Sequence, residues 1–259
     1  MFDWIPEQPV ALIALMAVVG MALIGAAIYA VVMRLAEGER GEALKALSPG
    51  MLPPMGILFA LIVGFLAVGV WGNVNSAEQA VAEEASALRS VVILSDELPP
   101  DLGVRMRVLV RRQIEDAVNH EWPAMEEQRA TLSTIPAALA DALDLAVRFD
   151  PRGEGQTVTQ RELVTAIQDA LQARRQRVVL SESSINAVKW LGLLFLAALT
   201  LVAIAMVHSG DRRTVRIAMG LFAVAVAVVI TMLAAEEQPF VGQLGLDPDL
   251  LEQVLPRGS

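Results

Sequence analysis

Four long stretches of the chain are apolar and contain no charged residue. A bilayer core about 30 Å thick is crossed by about 20 helical residues, and each stretch is long enough to span it. The stretches are residues 10–33, 51–75, 190–207 and 217–235. We therefore predict four transmembrane helices, whose ends include flanking residues, at 9–35, 51–76, 189–208 and 214–235.

The first stretch also has to be compared with a signal peptide. A signal peptide begins with basic residues and has a shorter apolar part. Here the preceding residues include Asp3 and Glu7, the apolar part is long, and Arg34 follows it. We predict that this stretch is retained as the first span.

The spans form two hairpins, and residues 77–188 between them have the pattern of a helical domain outside the membrane. Residues 76–98 contain no helix breaker, so the second span is expected to continue out of the bilayer until Pro99 and Pro100 stop it. A second helix is predicted over about 101–122, with an apolar stripe of helical period. The stripe comprises Val104, Val108, Leu109, Val110, Ile114 and Val118.

Two more helices and a tail complete the predicted domain. One helix follows Ser133 or Thr134 as its cap and places Leu139, Leu143 and Val147 on one side. After a loop at 150–156, a long amphipathic helix begins, with Thr157 or Thr159 as its cap, and leads towards the third span. Residues 236–259 form the tail, and its last residues, LPRGS, resemble the remnant of a protease-cleavable tag.

The pattern predicts an all-α integral membrane protein with four transmembrane helices in two hairpins and a helical soluble domain between them. Composition agrees, because 55% of the residues are hydrophobic and the mean hydropathy is +0.53. The net charge of −9 argues against nucleic acid as a partner. The chain has no cysteine, so a disulfide framework is excluded.

The segment NHEWPAM at 119–125 is the part of the central domain that most resembles an active site. His120 and Glu121 match the beginning of the zinc motif HExxH, but position 124 is alanine. The chain's other histidine, His208, lies far away in a hairpin loop. We predict no metal and no cofactor. Trp122 and Pro123 are better explained as a joint where one helix ends and packs on its neighbour, with Glu121 exposed or paired with an arginine.

Polar groups are few inside the spans, and no ionisable residue lies at the middle of any span. Ion-coupled carriers usually need such a group, whereas a channel can be lined by apolar constrictions and polar mouths. The second span and its extension are our expected pore lining, with Gly64, Val68, Asn73 and Asn75 as candidates. Glu236 and Glu237 after the last span form a possible carboxylate ring, although a solvated helix end is the more ordinary interpretation.

Basic residues in the short hairpin loops predict the orientation. Arg34, Arg40 and Lys45 lie in the first loop, and Arg212, Arg213 and Arg216 lie at the second. Positive-inside counting places both loops in the cytoplasm. Both termini and the central domain would then be extracytoplasmic.

Three motifs together resemble the bestrophin-like family of uncharacterised prokaryotic membrane proteins. That family has an E-A-x-x-L segment after the second span, an E-W-P segment in the soluble helices and a P-F-x-G segment after the last span. Here these are Glu84-Ala85 with Leu88, Glu121-Trp122-Pro123, and Pro239-Phe240-Val241-Gly242. The family often has an aspartate shortly before the Pro-Phe pair, where this chain has Glu236, Glu237 and Gln238.

The resemblance implies a multi-pass protein of the bacterial inner membrane. It also implies kinship with bestrophins, which are anion channels assembled as symmetric oligomers, although the acidic tail and central domain suit cations better. We expect a homo-oligomeric ion channel whose partners are lipid, further copies of the chain and inorganic ions. The alternative is a membrane-anchored sensor or scaffold whose helical domain binds a ligand or partner protein. An enzyme ranks third, because no nucleophile–base pair, metal set or phosphate loop is found.

Overall fold

The computed structural model describes residues 8–36 and 50–255, and every regular element within these ranges is helical, with no strand among them. The predicted all-α class is therefore confirmed. Arg40 and Lys45 of the first hairpin loop and the terminal residues 256–259 lie outside the described residues. In chain order the helices are α1 (Val10–Leu35), α2 (Leu52–Leu94), α3 (Pro100–Asp116), α4 (Trp122–Glu126), α5 (Ala137–Arg148), α6 (Glu154–Ser181), α7 (Ala187–Val207), α8 (Arg212–Ala235) and α9 (Asp249–Glu252).

The chain divides into two compact units. The membrane unit comprises residues 8–36, 50–72 and 184–237, and the helical unit comprises residues 73–183 and 238–255. The boundary between them falls within α2, which is helical without a break from Leu52 to Leu94. Within the described ranges, four helices are long and apolar enough to cross a bilayer, namely α1, α2, α7 and α8.

In the membrane unit, α1, α7 and α8 pack against one another. The Asn186 side chain caps α7 by accepting the Val188 N–H at 2.9 Å, and Asp211 caps α8 by accepting the amide of Arg213 at 3.0 Å. Ala223 and Ala227 of α8 are buried, so their small side chains let neighbouring helices approach closely. Gly64 of α2, which has a similar small-residue spacing, is exposed.

The helical unit has a single apolar core built from the second part of α2, from α3 to α6 and from the tail. Pro99 precedes α3 and Pro100 is its first residue, a position where the missing amide costs little. The tail contributes three core residues, Phe240, Leu251 and Val254. The tail at 238–255 therefore packs into the core of the helical unit through these residues.

Several local predictions for this unit were wrong in detail. The α-helix of α3 ends at Asp116 instead of Trp122, because a π turn spans Ala117–Glu121. In the predicted stripe of α3, Val110 and Ile114 are buried whereas Val104 and Val108 are about half exposed. These six apolar residues fit more than one face of the helix, and only packing selects the face that is buried.

The predicted helix caps were also wrong. The helix α5 begins at Ala137 after Pro136, so neither Ser133 nor Thr134 caps it. The helix α6 begins at Glu154 after Gly153, whose φ of 120° is open to glycine and disfavoured for other residues. It ends at Ser181 and α7 starts at Ala187, so residues 182–186 separate the two helices and α6 does not continue directly into the third span.

Candidate functional site

A buried ion pair lies at the centre of the helical unit. Glu84 on α2 and Arg177 on α6 are both fully buried, at 0% exposure. The Arg177 Nε atom donates to Glu84 Oε2 at 2.7 Å, and its Nη2 atom donates to Oε1 at 3.3 Å. A fork-shaped guanidinium that meets both oxygens of one carboxylate fixes the two helices in angle as well as in distance.

Glu121 brings a second carboxylate and a second arginine to this pair. Arg177 Nη2 donates to Glu121 Oε2 at 2.7 Å, and Arg174 Nε donates to Glu121 Oε1 at 2.6 Å. The cluster of Glu84, Glu121, Arg174 and Arg177, which we call the four-charge cluster, therefore carries two negative and two positive charges. Burial of charge is tolerated because each charge is paired and hydrogen-bonded.

The π turn at Ala117–Glu121 delivers Glu121 to the four-charge cluster. The Trp122 N–H bonds to the Ala117 carbonyl five residues back, as a π turn requires. Pro123 follows at once, and in a regular α-helix its ring would collide with the carbonyl four residues earlier. The wider turn relieves that collision, so Pro123 explains from the sequence why the helix is irregular here.

Trp122 joins the four-charge cluster to the tail. Its side chain is 3% exposed, and its Nε1–H donates to the Leu246 carbonyl at 2.9 Å. The ring meets Phe240 edge-on at a centroid distance of 5.5 Å, and the Arg177 guanidinium lies 5.2 Å from its centre. The tail is closed by a bond from Leu246 N to the Pro239 carbonyl at 2.8 Å. Gly242 lies in this turn with a φ of 84°.

The electrostatics of the cluster hold its charges in place. Burial alone would raise the pKa of Glu121, but the adjacent Arg177 and Arg174 outweigh it, and the pKa falls below its ordinary value. Burial likewise opposes the charge on Arg177, and the contacts with Glu84 and Glu121 raise its pKa instead. A glutamate held ionised by two guanidinium groups is a poor general base. The neighbouring His120 is exposed and pairs with Asp116 at 3.0 Å. The cluster therefore acts as a joint between helices.

All three motifs named from the sequence meet at this joint. The pairs Glu84 with Arg177, Glu121 with Arg177, and Trp122 with Phe240 connect them in turn. A profile of the Bestrophin-like domain matches residues 19–251 and so includes all three motifs. The chain belongs to the Bestrophin-like family.

Solved structures agree with this family membership at the level of the fold. One variant of a bacterial bestrophin homologue from Klebsiella pneumoniae matches with a TM-score of 0.72 and 14% identity, over 93% of this chain and 95% of that one. Another variant of the Klebsiella pneumoniae homologue matches with a TM-score of 0.69 and 14% identity, over 96% and 98%. A structure described only as a membrane protein matches with a TM-score of 0.67 and 13% identity, over 92% and 96%. No curated protein sequence matches the chain.

The pore candidates from the sequence lie along α2. Gly64 and Asn75 are exposed, Val68 is 70% exposed, and Asn73 is half-buried. Within a single chain these side chains have room for further subunits, lipid or water. Their assignment to a pore is a proposal, argued below.

The acidic pair after the last span, Glu236 and Glu237, makes contacts within the membrane unit. Glu237 accepts the Ile185 N–H at 2.8 Å and the Trp190 indole N–H at 3.3 Å. It is half-buried, as is Glu236, the residue that follows α8 as its C-cap. In the membrane unit Glu237 therefore ties the chain before α7 to the chain after α8. The part of the chain that the structure describes contains no group of three possible metal ligands.

Arg174 and Arg177 are the site residues that sequence reasoning missed. Their spacing of three residues places them on one helix face, whereas the intervening Arg175 is exposed. The signal was present in the RRQR run, but which arginines turn inward depends on carboxylates that are far away in sequence.

Proposed function

We propose that this chain forms a homo-oligomeric ion channel whose pore is lined by α2. Membership of the Bestrophin-like family supports a channel-like role, because bestrophins are oligomeric channels. The assignment of α2 as the pore lining rests on one observation, which is that the other helices of the chain bury little of its apolar part. In the most apolar 18 residues of each span, 11% are buried for α2, against 17% for α1, 33% for α7 and 28% for α8.

The exposed face of α2 in the membrane unit has the character of an apolar constriction. It includes Leu61, Phe65 and Val68, which are 51%, 75% and 70% exposed, together with Gly64. Bulky apolar side chains repeated around an axis narrow a pore and expel water from it, while glycine lets the backbones approach. One copy of a four-span chain cannot enclose a wide pore, so the proposal requires several copies.

Planar-bilayer recording of the purified protein tests the channel itself. We expect single-channel currents in several salts, and silence under all of them would contradict the proposal. Val68→Thr keeps the side-chain shape but adds a hydroxyl, and it should increase conductance if Val68 narrows the pore. The matched control is Val224→Thr on α8, which is also exposed, at 55%. Equal conductance of the two variants would remove α2 as the lining.

The orientation remains part of the proposal. Positive-inside counting favours hairpin loops in the cytoplasm and a helical domain on the other side. A fluorescent-protein fusion at the C-terminus should stay dark and a phosphatase fusion should be active. A fluorescing fusion would place the tail, and with it the helical unit, in the cytoplasm.

A sensor or scaffold is the second candidate, and one groove favours it. The groove lies between α3 and α5, has a volume of about 790 Å³, and is floored by apolar residues that include Val104 and Val108. Arg105 and Arg112 line it, as do Asp141 and Asp144. Reproducible co-purification of one protein, lost on Val108→Asp, would favour this candidate over the channel.

A further inference from the structure

We infer that the membrane unit binds one acyl chain of a bilayer phospholipid in a groove beside α1. Among the described residues, neither α2 nor the helical unit lines this groove. The site therefore stands apart from the proposed channel, and a failure of either one leaves the other standing.

The groove, which we call the α1 groove, is partly open and has a volume of about 300 Å³. Its walls are α1 from Ile13 to Ile24, Leu194 of α7, and Ile230 and Ala234 of α8. All three helices are spans, so the medium at the open side is hydrocarbon. Water would find no hydrogen-bond partners along these walls, and empty apolar space would forfeit packing contacts. Hydrocarbon is therefore the material that fills the groove.

The dimensions of the α1 groove fit a single acyl chain. Ile13 and Ile24 are 11 positions apart, so at 1.5 Å per residue the groove follows α1 for about 16 Å. That length is about half of the hydrocarbon core of a bilayer, which is one leaflet. Spread over this length, the volume corresponds to a cross-section on the order of 20 Å². An α-helix with its side chains is about 10 Å across, so a helix of a second copy is too wide to enter.

One end of the α1 groove is polar, as a site for an amphiphile requires. Trp190 and Glu237 line this end, and the Trp190 Nε1–H donates to the Glu237 carboxylate at 3.3 Å. Ile13 packs in the same apolar cluster as Trp190, so the polar end is the Ile13 end. Tryptophan is enriched at the level of the lipid head groups. The head group therefore lies near Glu237, and the acyl chain runs along α1 towards Ile24.

A second hollow in the membrane unit lacks this polar end. It has a volume of about 320 Å³ and lies between α1 from Ala27 to Leu35 and two residues of α7, Val202 and Met206. Every residue that lines it is apolar. Such a hollow offers hydrocarbon contact without fixing where a head group lies. The polar end is what distinguishes the α1 groove from an ordinary lipid-facing surface.

Gly20 keeps the α1 groove open. It lies in the α1 wall, and a Cβ atom added there would meet no other atom within 4 Å. A larger side chain at this position would therefore occupy the groove without colliding with the protein. Gly25 on the same helix has equally open surroundings but does not line the groove. The two glycines form a matched pair for a test.

Fluorescence quenching by phosphatidylethanolamine with brominated acyl chains tests the site in the purified full-length protein. One reporter protein carries Trp4→Phe and Trp71→Phe, so it keeps Trp190 together with Trp122, which is buried in the helical unit. In detergent solution its fluorescence should fall as the lipid is added and level off near equimolar lipid. The matched reporter carries Trp4→Phe and Trp190→Phe, and so keeps Trp71, which is 44% exposed. It should lose clearly less fluorescence at the same lipid concentration.

Gly20→Leu in the Trp190 reporter should shift the titration to roughly tenfold more lipid, the factor expected when about two methylene groups lose their burial. Gly25→Leu makes the same change outside the groove and should leave the titration where it was. Gly20→Ala should give a smaller shift in the same direction, and it decides the point if Gly20→Leu fails to fold. Thermal unfolding in detergent identifies the variants that are folded.

Three results would overturn the site. Equal fluorescence losses at Trp190 and Trp71 would show a general coat of lipid. Titrations of Gly20→Leu and Gly20→Ala that match the parent reporter would show that the lipid lies elsewhere. A Trp190 signal that stays unquenched even in bilayers made entirely of brominated lipid would show that another copy of the chain covers the groove.

Discussion

Single residues in the four-charge cluster decide whether the helical unit holds together. Arg177 forms ion pairs with both Glu84 and Glu121, so its removal would leave two carboxylates in a buried site without this partner. An intact buried ion pair adds little to the stability of a protein, whereas the loss of one partner lowers stability strongly. Arg177, which the sequence did not single out, is thus expected to be among the residues that matter most for stability.

Arg177→Met should lower the free energy of unfolding of the helical unit by about 3–5 kcal/mol, because Glu84 loses its partner. Thermal unfolding followed by circular dichroism in detergent measures this. Arg175→Met is the matched control in the same run of arginines, and its exposed position predicts a change within about 0.5 kcal/mol. Equal effects of the two substitutions would show that the buried network is not the source of stability.

Acid should destabilise the helical unit through Glu121. Its pKa in the folded protein is below the ordinary value of 4.5. Its ionised form therefore contributes stability that is present above the unfolded pKa and is lost as the pH falls through the folded one. Arg177, whose pKa is raised, stays charged throughout the acid and neutral range. It therefore does not make stability depend on pH in that range.

The measurable result is an unfolding temperature that is flat from about pH 8 to about pH 5 and falls below that range. Glu121→Gln should reduce the slope below pH 5, and it should also lower stability at neutral pH because Arg174 and Arg177 lose a partner. An acid slope as steep in Glu121→Gln as in wild type would assign the acid sensitivity to other carboxylates.

At the scale of elements, the ends and positions of the helices depend on prolines and on close helix packing as much as on the period of the apolar residues. Pro99 and Pro100 separate α2 from α3, and Pro123 widens the turn that carries Glu121. The 3-10 turn at Ser95–Glu97 then lets α3 pack close by, at Gly103. The position of α3 depends on the absence of a side chain there.

Gly103→Ala should destabilise the helical unit, because a Cβ atom at this position would overlap the Ser95 carbonyl oxygen. A backbone atom cannot move aside as a flexible side chain can, so we expect a loss of about 1–3 kcal/mol. Gly155→Ala on α6 is the control, since open space surrounds that position. It should leave stability unchanged or raise it by about 0.4–1 kcal/mol. Chemical denaturation of both variants decides the point.

At the scale of the whole molecule, different features stabilise the two units. The membrane unit consists of apolar helices, whereas the helical unit is a polar-surfaced domain whose core is completed by the tail. Trp122 is the residue through which the tail and the central helices meet, by a hydrogen bond to Leu246 and an edge-on contact with Phe240.

Trp122→Ala should cost about 3–5 kcal/mol, because the ring is buried and its loss leaves a cavity. Trp122→Phe keeps most of the buried area and loses the bond to the Leu246 carbonyl, so about 1–3 kcal/mol is expected. Limited proteolysis of the tail, combined with thermal unfolding, distinguishes the two. A Trp122→Ala variant that melts like wild type and resists proteolysis would refute the role of Trp122 in holding the tail.

The sequence by itself determined the four spans and the helical class, because lipid requires about 20 uninterrupted apolar residues and leaves the backbone no alternative to a helix or a closed barrel. It also named Glu84, Trp122 and Phe240 as motif residues. Only the tertiary structure decided that these meet: Glu84 and Arg177 are 93 residues apart, and Trp122 and Leu246 are 124 apart. Helical periodicity acts over a few residues, so it cannot select a partner at that distance, nor choose which valines of α3 face the core.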